Sequence, residues 1–423
     1  TSRDNKVTRL AVDKIELVTE KEKELYKITA TAQDLIQHVD PSKTRNEYIH
    51  YIEKPRPKVD NVYYNFKDLV DAMNADKNGT FKIGADLNAT NVPTPKKWYV
   101  DGDFKGTLKS VEGKHYTIHN TERPLFKNII GGTVTKVNLG NVNINMPWAD
   151  RIAPIADTIK GGAKIEDVKV TGNVLGRNWV SGFIDKIDNQ GTLRNVAFIG
   201  NVTAVGDGGQ YLTGIVGENW KGLVEKAYVD ANLVGDKAKA AGIAYSSQNG
   251  GDNGAVSRDG AIKKSVAKGT INVAKPIENG GVVGSMKHHG SVEDSVSMMK
   301  VSNGEIFYGS SDIDYDDGYW TGNNVKRNYV VVGVSDGNSS YQRSKDKNRI
   351  KPISEEEAKS KIEATGISAD KYEINEPIVN RLNRLTRKED EYKTTQDYKT
   401  ERDLAYRNIA KLQPFYNKEW IVN

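Results

Sequence analysis

The residues of this chain whose types could support chemistry are six histidines, a dense run of aspartates and six tryptophans. His115 and His119 are spaced as zinc-binding histidines are on a helix. The intervening Tyr116-Thr117-Ile118 alternates as a strand does, which would hold the imidazoles about 13 Å apart. Tyr116 also stands where a zinc hydrolase helix carries glutamate, so the pair is not read as a zinc site. Asp312, Asp314 and Asp316 alternate ahead of Gly318 in the manner of a calcium loop. The glycine falls one place late, and Asn323 stands where a bidentate glutamate would complete the loop. A calcium site at these three aspartates is therefore weighed against a plain acidic turn. Asp316-Asp317, His288-His289-Gly290 and Arg349-Ile350-Lys351 together hold the acid pair, histidine and cation that a polysaccharide hydrolase would need, but their order along the chain is wrong for it. Trp98, Trp148, Trp179 and Trp220 fall near turns of successive repeats. Trp148, Trp179 and Trp220 are the candidates for a substrate-binding ladder, with core packing or loop stapling as the alternative.

Composition removes whole classes of function. With no cysteine in 423 residues, thiolate nucleophiles, disulfides and cysteine zinc sites are excluded, and a metal would have to use oxygen or imidazole. Complete absence of cysteine also fits export across a Gram-positive envelope. The 61 basic and 56 acidic side chains leave a net charge of +5, and the densest charged stretches mix both signs, so no nucleic-acid footprint is present. No apolar run of about 18 residues occurs, so no membrane span is expected within the segment. The chain opens at Thr1 and reads as a piece of a longer exported protein.

The elements that must position these residues come from a repeat. Between 131 and 301 an apolar residue, two polar ones and a small or apolar one recur, followed by strand-like alternation. The copies start at Val134, Ile165, Leu193, Val224, Ile262 and Val292, which are 31, 28, 31, 38 and 30 residues apart. A second element, Gly182-Phe183-Ile184, Gly214-Ile215-Val216-Gly217, Gly242-Ile243-Ala244 and Gly281-Val282-Val283-Gly284, has the same period. Short strands at a fixed repeat near 30 residues predict a mainly β chain: a right-handed parallel β-helix whose stacked coils share one core of Val, Ile and Leu. Glycine is expected at the corners, where it supplies positive φ or lets backbones approach. An antiparallel sandwich gives no reason for the spacing.

Three parts follow from this. Residues 1–60 form a small β-containing linker module, with strands suggested at 7–16 and 25–32. Residues 61–350 form the β-helix, closed at its upstream end by a short capping helix at 66–75, where Phe66, Leu69, Val70 and Met73 have helical spacing. Residues 351–423 form a helical unit leading to downstream domains, opened by the capping box Ser354-Glu355-Glu356-Glu357.

The segments Asn74-Ala75-Asp76-Lys77-Asn78-Gly79-Thr80-Phe81-Lys82-Ile83-Gly84-Ala85-Asp86-Leu87, Asn138-Leu139-Gly140-Asn141-Val142-Asn143-Ile144-Asn145-Met146-Pro147-Trp148-Ala149-Asp150, and 297–305 with 309–314 resemble the N-terminal, non-catalytic region of the streptococcal zinc metalloproteases, the family that includes the immunoglobulin A1 protease. Gly214-Ile215-Val216-Gly217 is similar to that family's Gly-Leu-Val-Gly repeat. The resemblance implies an extracellular, secreted, wall-associated bacterial protease that cleaves host glycoproteins. Its zinc is held by a downstream His-Glu-x-x-His domain, and no such motif occurs in this chain. The expected role is a recognition or spacer segment whose partners are the host glycoprotein and the downstream catalytic domain. The alternatives are a polysaccharide-active β-helix enzyme and a surface adhesin without protease activity.

Overall fold

The computed structural model describes residues 11–31, 47–94, 96–248, 260–287, 290–301, 304–311, 325–334 and 349–386. The chain forms two compact units, one of residues 57–374 and one of residues 1–56 with 375–423.

In the larger unit the repeats stack as a parallel β-solenoid. One wall is an eight-stranded sheet in which Val100–Phe104, Phe126–Ile130, Ala156–Lys160, Ile184–Asp188, Val216–Trp220, Ala244–Gln248, Val283–Lys287 and Tyr308–Ser311 pair in parallel, each with the next. The other walls belong to a 20-stranded sheet that includes the long strands Ala163–Gly176, Gly191–Ala204 and Leu223–Ala241. Their register is the register of the repeat. Val168, Val196 and Ala227 form one inward column, and Val170, Phe198 and Val229 form the next, all fully buried. Each coil buries its apolar row only against the coils above and below, so the core is one continuous rod.

The repeated tetrad is a corner. Its third residue, Lys136, Asp167, Asn195, Lys226, Lys264, Asp294 or Arg327, has φ between 48° and 55° in seven successive coils. Glycine was expected at such positions, yet polar residues occupy them. A left-handed conformation costs a non-glycine residue roughly 1–2 kcal/mol, and stacking on both neighbouring coils holds it there. Corner side chains add links between coils: Asn195 Nδ2 donates to Asp167 Oδ1 at 2.7 Å, and Arg327 Nε donates to Asp294 Oδ1 at 2.6 Å. Glycine is required elsewhere. Gly172 has φ 134°, and a Cβ there would lie 2.1 Å from the Val142 carbonyl oxygen. At Gly214 a Cβ would lie 2.3 Å from the Gly242 carbonyl oxygen, so the Gly-Ile-Val element marks a close approach of adjacent coils.

Helix α1, Phe66–Ala75, covers the first coil with Phe66, Leu69, Val70 and Met73 buried, and Asn65 caps it by accepting from the Asp68 amide. Helix α2, Glu355–Thr365, begins at the Ser354/Glu357 capping box and ends at Gly366 in the left-handed region. It packs on Val296 and Val331, and Ile367 belongs to the same cluster as Val266. The chain then runs back along the solenoid as a strap. Asn195 Oδ1 accepts from the Ser368 and Ala369 amides at 2.9 and 3.0 Å, and its Nδ2 donates to the Ser368 and Tyr372 hydroxyls. Lys169 Nζ donates to the carbonyls of Asp370 and Tyr372. Ile374 lies against Gly140. Residues 351–374 therefore belong with the solenoid, whereas the sequence assigned all of 351–423 to one helical unit.

The smaller unit holds an antiparallel sheet of Ala11–Glu20, Lys23–Thr31 and Glu47–Glu53, the last of which the sequence did not suggest. The first hairpin turns at Lys21 and Glu22, both at positive φ as a two-residue hairpin turn of the primed kind demands. Val12, Ala30 and Tyr48, then Ile15, Ile28 and His50, then Leu17, Tyr26 and Ile52 are cross-strand sets on one face. Helix α3, Ile378–Thr386, lies along the edge of the third strand. Asn383 accepts from the Tyr51 amide at 2.7 Å and donates to the Tyr51 carbonyl at 3.0 Å, as a further strand would.

Candidate functional site

Where the strands Arg151–Ile152, Trp179–Ser181, Gln210–Thr213 and the end of Leu223–Ala241 meet the eight-stranded sheet, a chain of polar and aromatic contacts crosses successive coils. Parallel register places Arg151, Trp179, Tyr211 and Lys239 in one column. The Arg151 guanidinium lies 4.2 Å over the Trp179 ring, and the rings of Trp179 and Tyr211 stack at 3.6 Å and 8°. Tyr245, buried and on the neighbouring sheet, meets Tyr211 edge-on at 4.8 Å. Lys239 Nζ donates to the Tyr245 hydroxyl at 3.2 Å, and that hydroxyl donates to Glu278 Oε2 at 3.1 Å.

Beneath this column the sheet carries carboxylates. Arg151 Nε donates to Asp185 Oδ2 at 2.6 Å, and its Nη2 donates to Asp185 Oδ1 at 3.3 Å and to Glu218 Oε2 at 2.8 Å. Burial pushes Asp185 up to about 6 despite the Arg151 charge that opposes it. Asp157 is likewise raised by burial, opposed by Lys97, whose Nζ lies 2.9 Å from Oδ2, and by the Trp98 indole N–H at 2.9 Å. Two carboxyls with raised pKa suggest acid–base work. However, Asp185 is only 2 % exposed and saturated by Arg151, so no substrate oxygen reaches it. The seam is an ion-paired, stacked brace.

The three tryptophans of the expected ladder occupy three different positions. Trp179 is half-buried in the seam with both ring faces covered, one by Arg151 and one by Tyr211, so it offers a ligand no stacking surface. Trp148 is 62 % exposed in the turn that follows the strand Val137–Asn145. Trp220 is 38 % exposed at the end of Val216–Trp220, in register with Asp188 and Gln248, and Lys186 Nζ lies 5.4 Å over its ring. None of the three rings stacks on another of them. The Arg151–Tyr211 neighbourhood of Trp179 went unseen in the sequence, although Arg151, Trp179 and Tyr211 stand 28 and 32 residues apart, near the repeat period.

The histidine pair does not converge. His115 Nε2 contacts Asn138 Oδ1 at 2.9 Å and its ring lies 4.2 Å from Tyr372, whereas His119 is buried near Asp86. Asp312, Asp314 and Asp316 lie outside the described residues, as do Asp317, His288 and His289. Among the described residues no group of three or more His, Asp or Glu side chains could hold a metal. With no His-Glu-x-x-His anywhere in the sequence, the residues do not fit a catalytic zinc. Among the described residues no helix is long and apolar enough to cross a membrane.

Comparisons with known proteins bear on the whole chain. The family model for the N-terminal region of M26 IgA1-specific metallo-endopeptidases matches residues 1–172. Zinc metalloprotease ZmpB of Streptococcus pneumoniae is 38 % identical over 423 residues, which are all of this chain and 22 % of that protein. An immunoglobulin A1 protease of Streptococcus pneumoniae is 32 % identical over 420 residues, 95 % of this chain and 21 % of that protein. A solved structure of an IgA1 protease superposes with a TM-score of 0.58 at 25 % identity, covering 98 % of this chain and 32 % of the other. The chain thus spans about a fifth of the length of the curated relatives it matches.

Proposed function

Since this chain belongs to the N-terminal region of the family of streptococcal zinc metalloproteases and immunoglobulin A1 proteases, we propose that its solenoid is the non-catalytic recognition arm of a secreted, cell-surface zinc endopeptidase acting on host glycoproteins. The zinc, and the domain that holds it, lie elsewhere in the parent protein. The observation that carries the choice of arm over spacer is the strap. A spacer would take in the chain at one end and release it at the other. Here the strap runs from the last coil back to Gly140, so the chain leaves the solenoid near where it entered. The exit lies three strand steps from the first strand, about 14 Å along the stack. The coils beyond it separate nothing. Trp220 is exposed on those coils, and Trp148 on the exit coil itself.

The nearness of entrance and exit makes the test direct. Residues 57–374 of the parent protease are excised and bridged by a short flexible linker. A recognition arm predicts unchanged kcat/KM on a short peptide bearing the scissile bond and a loss of at least tenfold on the intact glycoprotein. Equal kcat/KM on both substrates, before and after excision, rejects the reading. The calcium loop at Asp312, Asp314 and Asp316 stays a proposal of its own. A calorimetric titration of the chain with calcium chloride that gives no heat, with an unchanged Tm, removes it.

A further inference from the structure

The sheet of the smaller unit leaves an apolar face in solvent. Five of the large apolar side chains exposed in the described chain, Val12, Ile15, Leu17, Tyr48 and Ile52, lie on this one face, with Ile15 61 %, Leu17 53 % and Ile52 47 % exposed. The register shift between Val12 and Lys14 keeps Val12 on it: strict alternation back from Lys14 would turn Val12 to the other side. Of the sheet's two edges, that of the third strand is already met by Asn383. An exposed apolar patch concentrated in this way marks an interaction surface.

Its size indicates the kind of occupant. Three strands about 4.8 Å apart, along about seven residues each, present roughly 300 Å². That is well short of the roughly 800 Å² per partner of an independent stable complex. A contact of this size holds when a covalent tether supplies an effective concentration in the millimolar range. The curated relatives are about five times as long as this chain, so such a tethered partner is at hand. We propose that the apolar face of this sheet seats an apolar surface from another part of the same polypeptide, outside these 423 residues, in the full-length protein. The inference rests on family membership and is independent of whether the solenoid recognises substrate.

The absence of cysteine makes the test clean. Leu17→Cys is introduced into the 423-residue chain and into the full-length protein, and its labelling rate with a maleimide is measured. Glu20→Cys, exposed at the hairpin end on the opposite face, is the control, and the unsubstituted full-length protein gives the background. The expected result is at least tenfold slower labelling of Leu17→Cys in the full-length protein than in the 423-residue chain, with Glu20→Cys equal in both. Ile52→Cys, on a different strand, must give the same ratio, which separates docking from local unfolding around one substitution. Equal rates in the two proteins overturn the proposal. So does slow labelling already in the 423-residue chain, since its own residues would then cover the face. Protection that grows with concentration of the 423-residue chain assigns the face to a second copy and overturns it as well.

Discussion

Replacing Asp185 by asparagine should remove a pH dependence whose size follows from the seam. The Asp185 carboxyl, sealed under Arg151, is pushed up to about 6 by burial, against about 3.9 in an unfolded chain. A carboxyl whose folded pKa is raised contributes stability fully below the unfolded pKa and loses it as pH rises through the folded one. Between pH 5.0 and 7.5 the linkage amounts to about 1.4 kcal/mol, with the protein more stable at the lower pH as far as this group is concerned. Other carboxylates and histidines add their own slopes, so the measurement is a double difference. Urea unfolding of the wild type and of Asp185→Asn is compared at both pH values. The wild type should gain about 1.4 kcal/mol more than the variant on going from pH 7.5 to 5.0. Asparagine keeps a carbonyl for the Arg151 Nε hydrogen bond, and Glu218 stays paired with Nη2, so the fold survives the change. Identical pH increments in the two proteins would show that Asp185 ionises normally and that the brace does not desolvate it.

Gly172→Ala, at φ 134° with its Cβ driven to 2.1 Å from the Val142 carbonyl oxygen, should destabilise the solenoid by about 2–4 kcal/mol in urea unfolding. Ala231→Gly, in the same column two coils away, should cost about 1 kcal/mol or less. Phe198→Ala, in the sealed core column, should cost about 3–5 kcal/mol. Trp148→Ala should stay within about 0.5 kcal/mol of wild type, whereas Trp179→Ala, losing both Arg151 and Tyr211, should cost about 2–3 kcal/mol. Asn195→Ala removes the side chain that holds Ser368, Ala369 and Tyr372, and should open residues 366–374 to limited proteolysis at a loss of about 2 kcal/mol.

The solenoid was legible in the sequence because its order is periodic. The copies at Val134, Ile165 and Leu193 predict the pairings Val134 with Ile165 and Ile165 with Leu193, and these are the ones found. Helix α1 was legible from the spacing of Phe66, Leu69, Val70 and Met73. Three things were not. Positive φ at Lys136 and Lys226 carries no residue signature, since the stacking of coils imposes it against local preference. The seam was hidden because Arg151, Trp179, Tyr211 and Lys239 differ in type from coil to coil, and a search for repeated residues passes over a column whose members complement one another. The strap escaped for a third reason. Its contacts join residues more than 170 apart, such as Asn195 and Ser368, and only the folded coils bring them together.

The strap is also a ruler. It must reach from Ile353 on the last coil to Lys169 and Gly140, and α2 with the turn at Ala369–Lys371 sets how far it can go. Inserting one coil lengthens the stack by about 4.8 Å, which an α-helix matches with about three residues. A solenoid of this kind cannot gain or lose coils freely at its far end, as an open stack can, because each added coil has to be met by nearly a turn of α2. Coil number and α2 length should therefore rise and fall together wherever this architecture recurs.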